Sequence, residues 1–558
     1  MDLKTLLRRK PLALILKEGG DHNDGEAALH KNLQLRDLVS MGIAAVIGAG
    51  IFSTIGSAAY NGGPGVVFLF IISAITCGFT ALCYAEFAAR VPVGGSAYTY
   101  AYVAFGEIVA WIIGWALILE YAIGNIVVAI SWSSYFNNLL IGLNIHLPLW
   151  MITDGGTAKK IFDTAVSEGK ITEGLAWTTA PTMGGMHLIF NLPAFIIVIL
   201  VTSLVYIGIK ESKKSANFMV VFKLIVLFFV IIIGFFYVQP ANWSPFMPKG
   251  FHGVMMGVSA VFYAYIGFDA ISTTAEECAD PQRDLPRGMI YSLIICTIIY
   301  VLTALVITGM VNYSEFQGVA DPLAFVFERT GLTGLNYIIS ISAVVATTSV
   351  LLVFQIGQPR IWMSMSRDGL LPKAFSKVHP KFRTPSFATI VTGFLVAIPS
   401  LFMDAALMTD LTSIGTLFAF VLVCGGVLVL PFDDNPSKKF KLPYFNGAFI
   451  IPIFWGLFMW QFNERLKKAV FNFTTNEHQE YLFLIFIVLA TVLTLMTIVK
   501  KWSFIPVMGV LFCTYLMIEI PVKSWMVFFG WMALGLSIYF GYSFSRSKLG
   551  KTSEILRG

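Results

Sequence analysis

Two apolar stretches interrupted by glycine contain the groups best suited to bind a small charged molecule. The first, MGIAAVIGAGIFSTIG, places Gly48 and Gly50 in its middle. Each glycine weakens a helix by about 1 kcal/mol relative to alanine. A helix broken at membrane depth exposes amide N–H groups at the start of one half and carbonyl groups at the end of the other. The N–H groups favour a carboxylate, and the carbonyls favour an ammonium group or a metal cation.

The second stretch, GVMMGVSAVFYAYIGFDAISTTAEE, repeats this pattern. Its Gly267 is followed by Phe268 and the carboxylate of Asp269. Paired interrupted helices at corresponding positions are the best sequence indication of a binding site in a transporter. The alternative interpretation is that the glycines only allow helices to pack closely.

Three charged side chains, Glu120, Lys223 and Asp269, fall inside apolar spans. Placing a charged side chain at the centre of a membrane helix costs about 2.5–3.5 kcal/mol, so we first interpret each of the three as functional. Glu120 has a structural alternative, a hydrogen-bonded carboxylate that holds a loop of backbone. The alternative interpretation of Lys223 is that its long side chain extends to the membrane surface. If Lys223 is buried, exchange of its proton couples transport to a proton gradient.

The elements that must position these residues are membrane-spanning helices. The chain has 558 residues, of which 57% are hydrophobic and only 13% are charged, whereas a soluble protein has about 25% charged residues. Apolar runs of about 20 residues recur along the chain and predict about fourteen crossings. One run, 101–138, is longer than a single crossing needs. This pattern predicts an all-α polytopic membrane protein.

Charge and cysteine content exclude several other classes. Most of the 38 Lys and Arg residues fall in loops on the side of the N-terminus, which predicts that both termini are cytoplasmic. The net charge of +6 therefore reflects membrane topology and not nucleic-acid binding. The six cysteines form no CxxC motif or His/Cys cluster, so neither a metal site nor a disulfide framework is predicted. No nucleophile–base pair indicates an enzyme.

The predicted spans divide the chain into five parts. They are an N-terminal tail (1–36), a first repeat of five helices (37–239) that contains a long outer loop (139–186), a second repeat of five (251–431), four additional helices (446–542) and a C-terminal tail (543–558). An odd number of helices per repeat inverts one repeat relative to the other. The loop 139–186 has helical spacing and predicts one or two short surface helices.

Several motifs resemble the cationic amino acid transporter family of the amino acid–polyamine–organocation (APC) superfamily. They are VSMGIAAVIGAGIFSTIG, YAEFAARVPVGGSAYTYAY, GWALILEYAIG, FYAYIGFDAISTTAEECADPQRDLPRGM and PRIWMSMSRDGLLP. The resemblance implies a LeuT-type fold, a 5+5 inverted repeat with broken helices 1 and 6 and four C-terminal helices. It also implies alternating access to an amino acid held between the two broken helices.

The resemblance assigns residues to this site. The substrate carboxylate meets backbone N–H groups around Ile47, Gly48, Ala49, Gly50 and Ile51. The ammonium meets carbonyls around Tyr263, Ala264 and Ile266, beside Gly267. Lys223 falls where proton-coupled relatives use a lysine in place of sodium, and Glu120 and Asp269 fall on acidic positions of the family. Bulky Val353 and Phe354 depart from the family pattern near the far end of the pocket, which favours small neutral side chains.

These features predict a proton-coupled amino acid symporter in the plasma or inner membrane. The alternatives are an exchanger of amino acids or amines and, with less support, a channel or a nutrient sensor. No cofactor is expected apart from the coupling proton. The expected partners are the substrate and the lipid bilayer; no extracellular cysteine is evident, so no disulfide-linked heavy chain is expected.

Overall fold

A computed structural model describes residues 6–11, 32–319, 321–430, 440–471 and 478–550. Parts of both predicted tails, residues 1–5, 12–31 and 551–558, lie outside these ranges. The regular structure of the described chain is helical apart from two isolated bridges and one small hairpin, in which Thr182–Met183 pairs antiparallel with Met186–His187. This agrees with the predicted all-α membrane protein.

The helices of the first part of the chain surround the first glycine break. They are α1 (Leu35–Val46), α2 (Ile55–Gly62), α3 (Val66–Arg90), α4 (Ala97–Ala104), α5 (Glu107–Gly142), α6 (Gly155–Ser167), α7 (Ala176–Thr179), α8 (Leu192–Ile207) and α9 (Ile209–Phe235).

The middle of the chain contains the second break. Its helices are α10 (Gly250–Met255), α11 (Val258–Tyr263), α12 (Pro281–Met310), α13 (Pro322–Arg329), α14 (Thr333–Arg367), α15 (Ser386–Ser400) and α16 (Ala405–Val429). The last helices are α17 (Gly447–Gln461), α18 (Asn463–Phe471), α19 (His478–Lys500), α20 (Phe504–Ile518), α21 (Val522–Ile538) and α22 (Phe544–Arg546).

Within the described residues, eight helical segments are long and apolar enough to cross a membrane. The first of them, Leu35–Arg90, is 56 residues long and includes the first break. Four further apolar helices, α8, α15, α17 and α20, have 10–17 residues. Long helices also carry apolar side chains on their outer faces, such as Phe218 on α9, which is 70% exposed. A bilayer would cover such faces.

Of two expectations about individual segments, one differs from the structure in detail and one agrees with it. The overlong run 101–138 is divided, because α4 ends at Ala104 and α5 begins at Glu107. Gly106 separates the two helices with a positive φ of 105°, a conformation that favours glycine. The loop 139–186 contains the predicted short helices, α6 and α7, together with the first strand of the hairpin.

Both described ends of the chain meet at the start of α5, at the carboxylate of Glu107. Arg8 donates two hydrogen bonds to Glu107, of 2.9 and 2.7 Å. The hydroxyls of Tyr102 and Tyr539 donate to the same carboxylate at 2.7 and 3.0 Å, and Ser547 donates to it as well. The N-terminal and C-terminal segments therefore lie on the same side of the helical bundle.

We expect the loss of the Glu107 charge to destabilise the protein. Glu107→Gln leaves the guanidinium of Arg8 without its counter-charge, and Arg8 is only 12% exposed. The free energy of unfolding should fall by about 2 kcal/mol, less than for a fully buried pair because Arg8 lies near the surface. Unfolding in mixed micelles with increasing SDS measures this.

Glu168→Gln is the matched control, because Glu168 pairs with Lys170 in the outer loop and both are about half-exposed or more. Its effect should stay below about 0.5 kcal/mol. Equal effects of the two variants would show that the cluster at Glu107 does not hold the chain ends.

Candidate functional site

The first break interrupts the chain between α1 and α2. Ile47 follows α1 in an extended conformation, with φ −79° and ψ 98°. A π-helical turn, Gly50–Thr54, then leads into α2. The carbonyl groups that end α1 and the N–H groups that begin the next helical segment therefore lack the neighbouring turn of a continuous helix. These are the two sets of backbone groups that the glycine pattern predicts.

The second break follows α11, which ends at Tyr263. Gly267 has a positive φ of 112° and is followed by a 3₁₀ segment, Phe268–Glu277. A side chain at position 267 would be strained in this conformation, which explains the glycine. The chain is also interrupted between α10 and α11, at Met256 and Gly257.

The two breaks pack directly against each other. A Cβ atom at Gly50 would overlap the Cα and Cβ atoms of Ala264. Likewise, a Cβ atom at Gly267 of the second break would lie only 2.9 Å from the Cβ of Ala45 in α1. Each break therefore needs its glycine for close approach to the other, so the packing interpretation of the glycines holds at these positions.

Tyr300 of α12 connects the two breaks by hydrogen bonds. Its hydroxyl lies 2.7 Å from the carbonyl oxygen of Val46 and 2.8 Å from that of Ala264. Tyr300 is fully buried. The carbonyl of Ala264, which the resemblance assigns to the substrate ammonium, is thus next to a protein donor.

A small cavity lies between the two breaks. Its volume is only about 10 Å³, roughly the space of one water molecule and far below the roughly 300–1,000 Å³ typical of pockets for drug-sized ligands. Glycine and alanine backbone from the first break forms one wall, and bulky apolar side chains form the others. The lining residues are Ala45, Val46, Gly48, Ala49, Gly50, Val128, Tyr263, Ile266, Val350 and Phe354.

Lys223 of α9 reaches the end of α1 from outside this cavity. Its Nζ donates to the carbonyls of Ala44 at 3.1 Å and Ile47 at 2.6 Å, and to Ser349 Oγ at 2.8 Å. Lys223 is fully buried, so the side chain does not extend to the membrane surface. An ammonium group has three donors, and here each of them has an acceptor.

Glu120 and Asp269 lie close enough to interact electrostatically. Both are buried; the hydroxyl of Thr416 lies beside Glu120 and that of Tyr121 beside Asp269, but within the described chain neither carboxylate accepts a hydrogen bond of good geometry. Tyr121 lies beside both carboxylates. Its ring also packs against the cavity residue Phe354, with ring centroids 5.2 Å apart. Tyr121 thus connects the acidic pair to the cavity wall.

Two ion pairs hold the end of the second broken segment to α14. Arg360 donates to the two carboxylate oxygens of Glu277 at 2.7 and 2.6 Å, and both residues are almost fully buried. Arg367 binds the neighbouring Glu276 at 2.9 and 2.8 Å. These pairs fix the 3₁₀ segment that carries Asp269.

The structure brings together most, but not all, of the predicted site residues. The cavity wall includes Gly48, Ala49, Gly50, Tyr263, Ile266 and Phe354. Ile47, Ile51, Ala264 and Gly267 are buried beside it but are not among its lining residues. The carbonyl of Ile47 accepts a hydrogen bond from Lys223.

Sequence reasoning missed seven residues of this region: Ala45, Val46, Tyr121, Val128, Tyr300, Ser349 and Val350. The only signal for Tyr300 and Ser349 is a hydroxyl within an apolar span. Val350 packs where a Cβ at Gly48 would lie, a relation between residues far apart in the sequence.

Comparisons with known proteins show the family of the chain. A family model of amino acid permeases matches residues 33–517, and a model of the permease C-terminus matches residues 503–547. The chain is 38% identical to the branched-chain amino acid permease of Bacillus subtilis, over 94% of this chain and 96% of the relative. It is 35% identical to the methylthioribose transporter of the same organism, over 98% of this chain and 100% of the relative.

The chain is also similar to plant transporters. It is 36% identical to the vacuolar cationic amino acid transporter 4 of Arabidopsis thaliana, over 78% of this chain and 69% of the relative. These matches confirm the resemblance to the APC superfamily, and they identify transporters and not enzymes. The chain therefore belongs to the amino acid permease family of multi-pass membrane transporters.

Proposed function

We propose that the protein is a proton-coupled amino acid symporter that binds its substrate between the two helix breaks. The observation that carries this proposal is the position of Lys223, whose Nζ binds two carbonyls at the end of α1 and the hydroxyl of Ser349. Family membership supports amino acid transport, and this lysine supports coupling to protons.

Backbone groups of the first break supply the polar contacts of the proposed substrate site. The cavity walls contributed by Val128, Val350 and Phe354 are apolar. N–H groups at the start of the helical segment that follows Ala49 would bind the carboxylate, as helix N-termini bind anions. Carbonyls of the second break, near Tyr263 and Ile266, would bind the ammonium group.

The apolar walls of the cavity favour a neutral amino acid, and the small volume between the breaks, about 10 Å³, favours a small one that enters when the site opens. A cationic side chain would lose its hydration against these walls without gaining a counter-charge. The branched-chain permease from Bacillus subtilis supports this preference. Methylthioribose is a second candidate substrate, because the methylthioribose transporter matches 98% of this chain.

Protonation of Lys223 would control the first break. A protonated Lys223 uses its three donors on Ala44, Ile47 and Ser349 and fastens the end of α1 to α9 and α14. A neutral amine has one donor fewer and turns a lone pair towards an acceptor, which weakens this attachment. Release of the proton on the cytoplasmic side would therefore allow α1 to move and open the site inward. Glu120 and Asp269 would take part in the same gating step.

The proposed mechanism requires the LeuT-type arrangement, a 5+5 inverted repeat followed by four helices. Gly50 packs on Ala264 of the second break, and Gly267 packs on Ala45 beside the first. This reciprocal packing supports the view that the two breaks occupy corresponding positions of the two repeats. If the segment Leu35–Arg90 crosses twice, and the broken segment and the four shorter helices cross once each, the total is the predicted fourteen. The meeting of the two chain ends at Glu107 supports an even number of crossings, and we assign both ends to the cytoplasm.

Gly50→Ala tests the substrate site. The added methyl group would overlap Ala264 and push the two breaks apart, so binding of labelled amino acid by the purified protein should weaken more than about tenfold, roughly 1.4 kcal/mol. Gly78→Ala in α3 is the control, because no atom lies within 4 Å of its Cβ position. Unchanged affinity in Gly50→Ala would place the substrate elsewhere.

Phe354→Ser tests side-chain selection. Removing the ring enlarges the cavity beside Tyr121, so larger or cationic amino acids and methylthioribose should compete better with the labelled substrate. Competition for uptake into proteoliposomes measures this. Phe486→Ser is the control, because it truncates another buried phenylalanine, in α19, outside the cavity. An identical competition profile in both variants and the wild type would contradict the assignment of this wall.

Lys223→Met tests proton coupling, because methionine keeps the length of the side chain and removes the charge. The variant should lose accumulation of substrate driven by a pH gradient in proteoliposomes, while exchange of internal for external substrate continues. Lys214→Met at the exposed start of α9 is the control and should keep both activities. Accumulation driven by the pH gradient in Lys223→Met would move the coupling role to Glu120 or Asp269.

A further inference from the structure

A second cavity lies on the side of the molecule where the two chain ends meet, and it shares no lining residue with the proposed substrate site. Its volume is about 210 Å³. It is bounded by the ends of α3, α16 and α19, by the start of α20 and by the segment 441–444. The lining residues are Glu86, Arg90, Val427, Leu428, Leu430, Lys441, Leu442, Tyr444, Lys500, Lys501, Trp502, Ser503 and Pro506.

The charges of this second cavity are unbalanced. Four lining side chains are cationic, and Glu86 is the one carboxylate among them. Glu86 is already engaged, because it pairs with Arg90 and accepts a hydrogen bond of 2.6 Å from the backbone N–H of Leu442. In the described part of the chain, no carboxylate lies within ion-pair distance of Lys500 or Lys501. Among the described residues, therefore, no carboxylate neutralises the charges of Lys500 and Lys501.

The turn that carries the two lysines is held in a fixed conformation. Lys501 has a positive φ of 51°, and its carbonyl accepts a hydrogen bond of 2.6 Å from the hydroxyl of Tyr444. Backbone bonds join Gly447 to Trp502 at 2.9 Å and Phe504 to Phe445 at 2.7 Å. A turn fixed in this way limits the ordering cost of binding to that of the lysine side chains.

The start of α20 adds partial positive charge to the same cavity. This helix has 15 residues, and its N-cap residue Ser503 lines the cavity without making a side-chain cap bond. The N-terminal end of a helix favours a negative group such as a phosphate. The charged side chains and the helix end thus favour the same type of ligand.

The remaining walls are apolar, so the cavity suits an amphipathic ligand better than a free ion. Val427, Leu428, Leu430 and Pro506 form these walls, and Trp502 and Tyr444 lie at the border. Tryptophan and tyrosine are enriched at membrane–water interfaces. Beyond the cavity, Phe449 of α17 is 75% exposed and Val499 of α19 is 78% exposed. These outward apolar side chains provide a surface for acyl chains next to the cationic cavity.

We propose that this cavity binds the phosphate headgroup of an anionic glycerophospholipid from the adjoining membrane leaflet. Lys500 and Lys501 contact the phosphate, the start of α20 faces it, and the apolar walls pack against the glycerol backbone and the first acyl carbons. Basic pockets between membrane helices bind anionic headgroups in this way. The bound lipid joins α3 to the additional helices α17, α19 and α20.

The test measures thermal unfolding of the full-length protein in detergent during titration with phosphatidylglycerol. Wild-type protein should be stabilised saturably, and phosphatidylcholine should have no comparable effect. In Lys500→Gln/Lys501→Gln, the concentration of phosphatidylglycerol for half-maximal stabilisation should rise roughly tenfold or more. Lys500→Arg/Lys501→Arg keeps both charges and should retain most of the effect.

Lys373→Gln/Lys377→Gln is the matched control, because it removes two exposed lysines that do not line the cavity. A loss of the lipid effect as large as in Lys500→Gln/Lys501→Gln would show a general surface-charge effect and overturn the proposal. Equal stabilisation by inorganic phosphate would assign the cavity to a soluble phosphate compound and also overturn it. Unchanged lipid dependence in Lys500→Gln/Lys501→Gln would exclude these lysines as the headgroup site.

Discussion

The close approach of two broken helices is the constraint on which the rest of this structure depends. Gly50 must lack a side chain because Ala264 occupies the space beside it, and Gly267 must lack one because of Ala45 and Phe354. A break at membrane depth is stable only where protein covers its backbone groups. Here Lys223, Ser349 and Tyr300 bind carbonyls of the breaks. The same backbone irregularity thus requires both the tight packing and the polar residues around it.

Buried polar groups near the breaks fall into two kinds. Lys223 and the Arg360–Glu277 pair have complete sets of partners, as buried charges normally require. Glu120 and Asp269 accept no hydrogen bond of good geometry within the described residues, and they are close enough to repel each other when both are charged. Such exceptions are rare in folded proteins, and each calls for an explanation such as a bound water molecule, a bound ion or a functional role. The first kind fixes the resting structure, whereas the second is available for change.

The sequence predicts the elements of this fold better than it predicts their contacts. Helical membrane spans, both breaks and the intramembrane lysine follow from local composition, because lipid imposes strict rules on length, polarity and backbone. The partners of these elements do not follow from local rules. Nothing near Gly48 indicates that Val350 fills the space beside it, and nothing near Ala264 indicates Tyr300. A side chain at Gly106, between α4 and α5, would meet the backbone of Leu7, about a hundred residues earlier in the chain.

The Tyr300 hydroxyl has a consequence for movement between the two broken helices. A hydroxyl carries one hydrogen, yet this one lies within 2.8 Å of two carbonyl oxygens, one from each break. At any instant only one of the two can accept that hydrogen, and the other must face an oxygen lone pair. A ligand or water molecule that donates to either carbonyl would decide which helix Tyr300 holds. A single rotation about one C–O bond thus transfers the attachment of α12 from one break to the other.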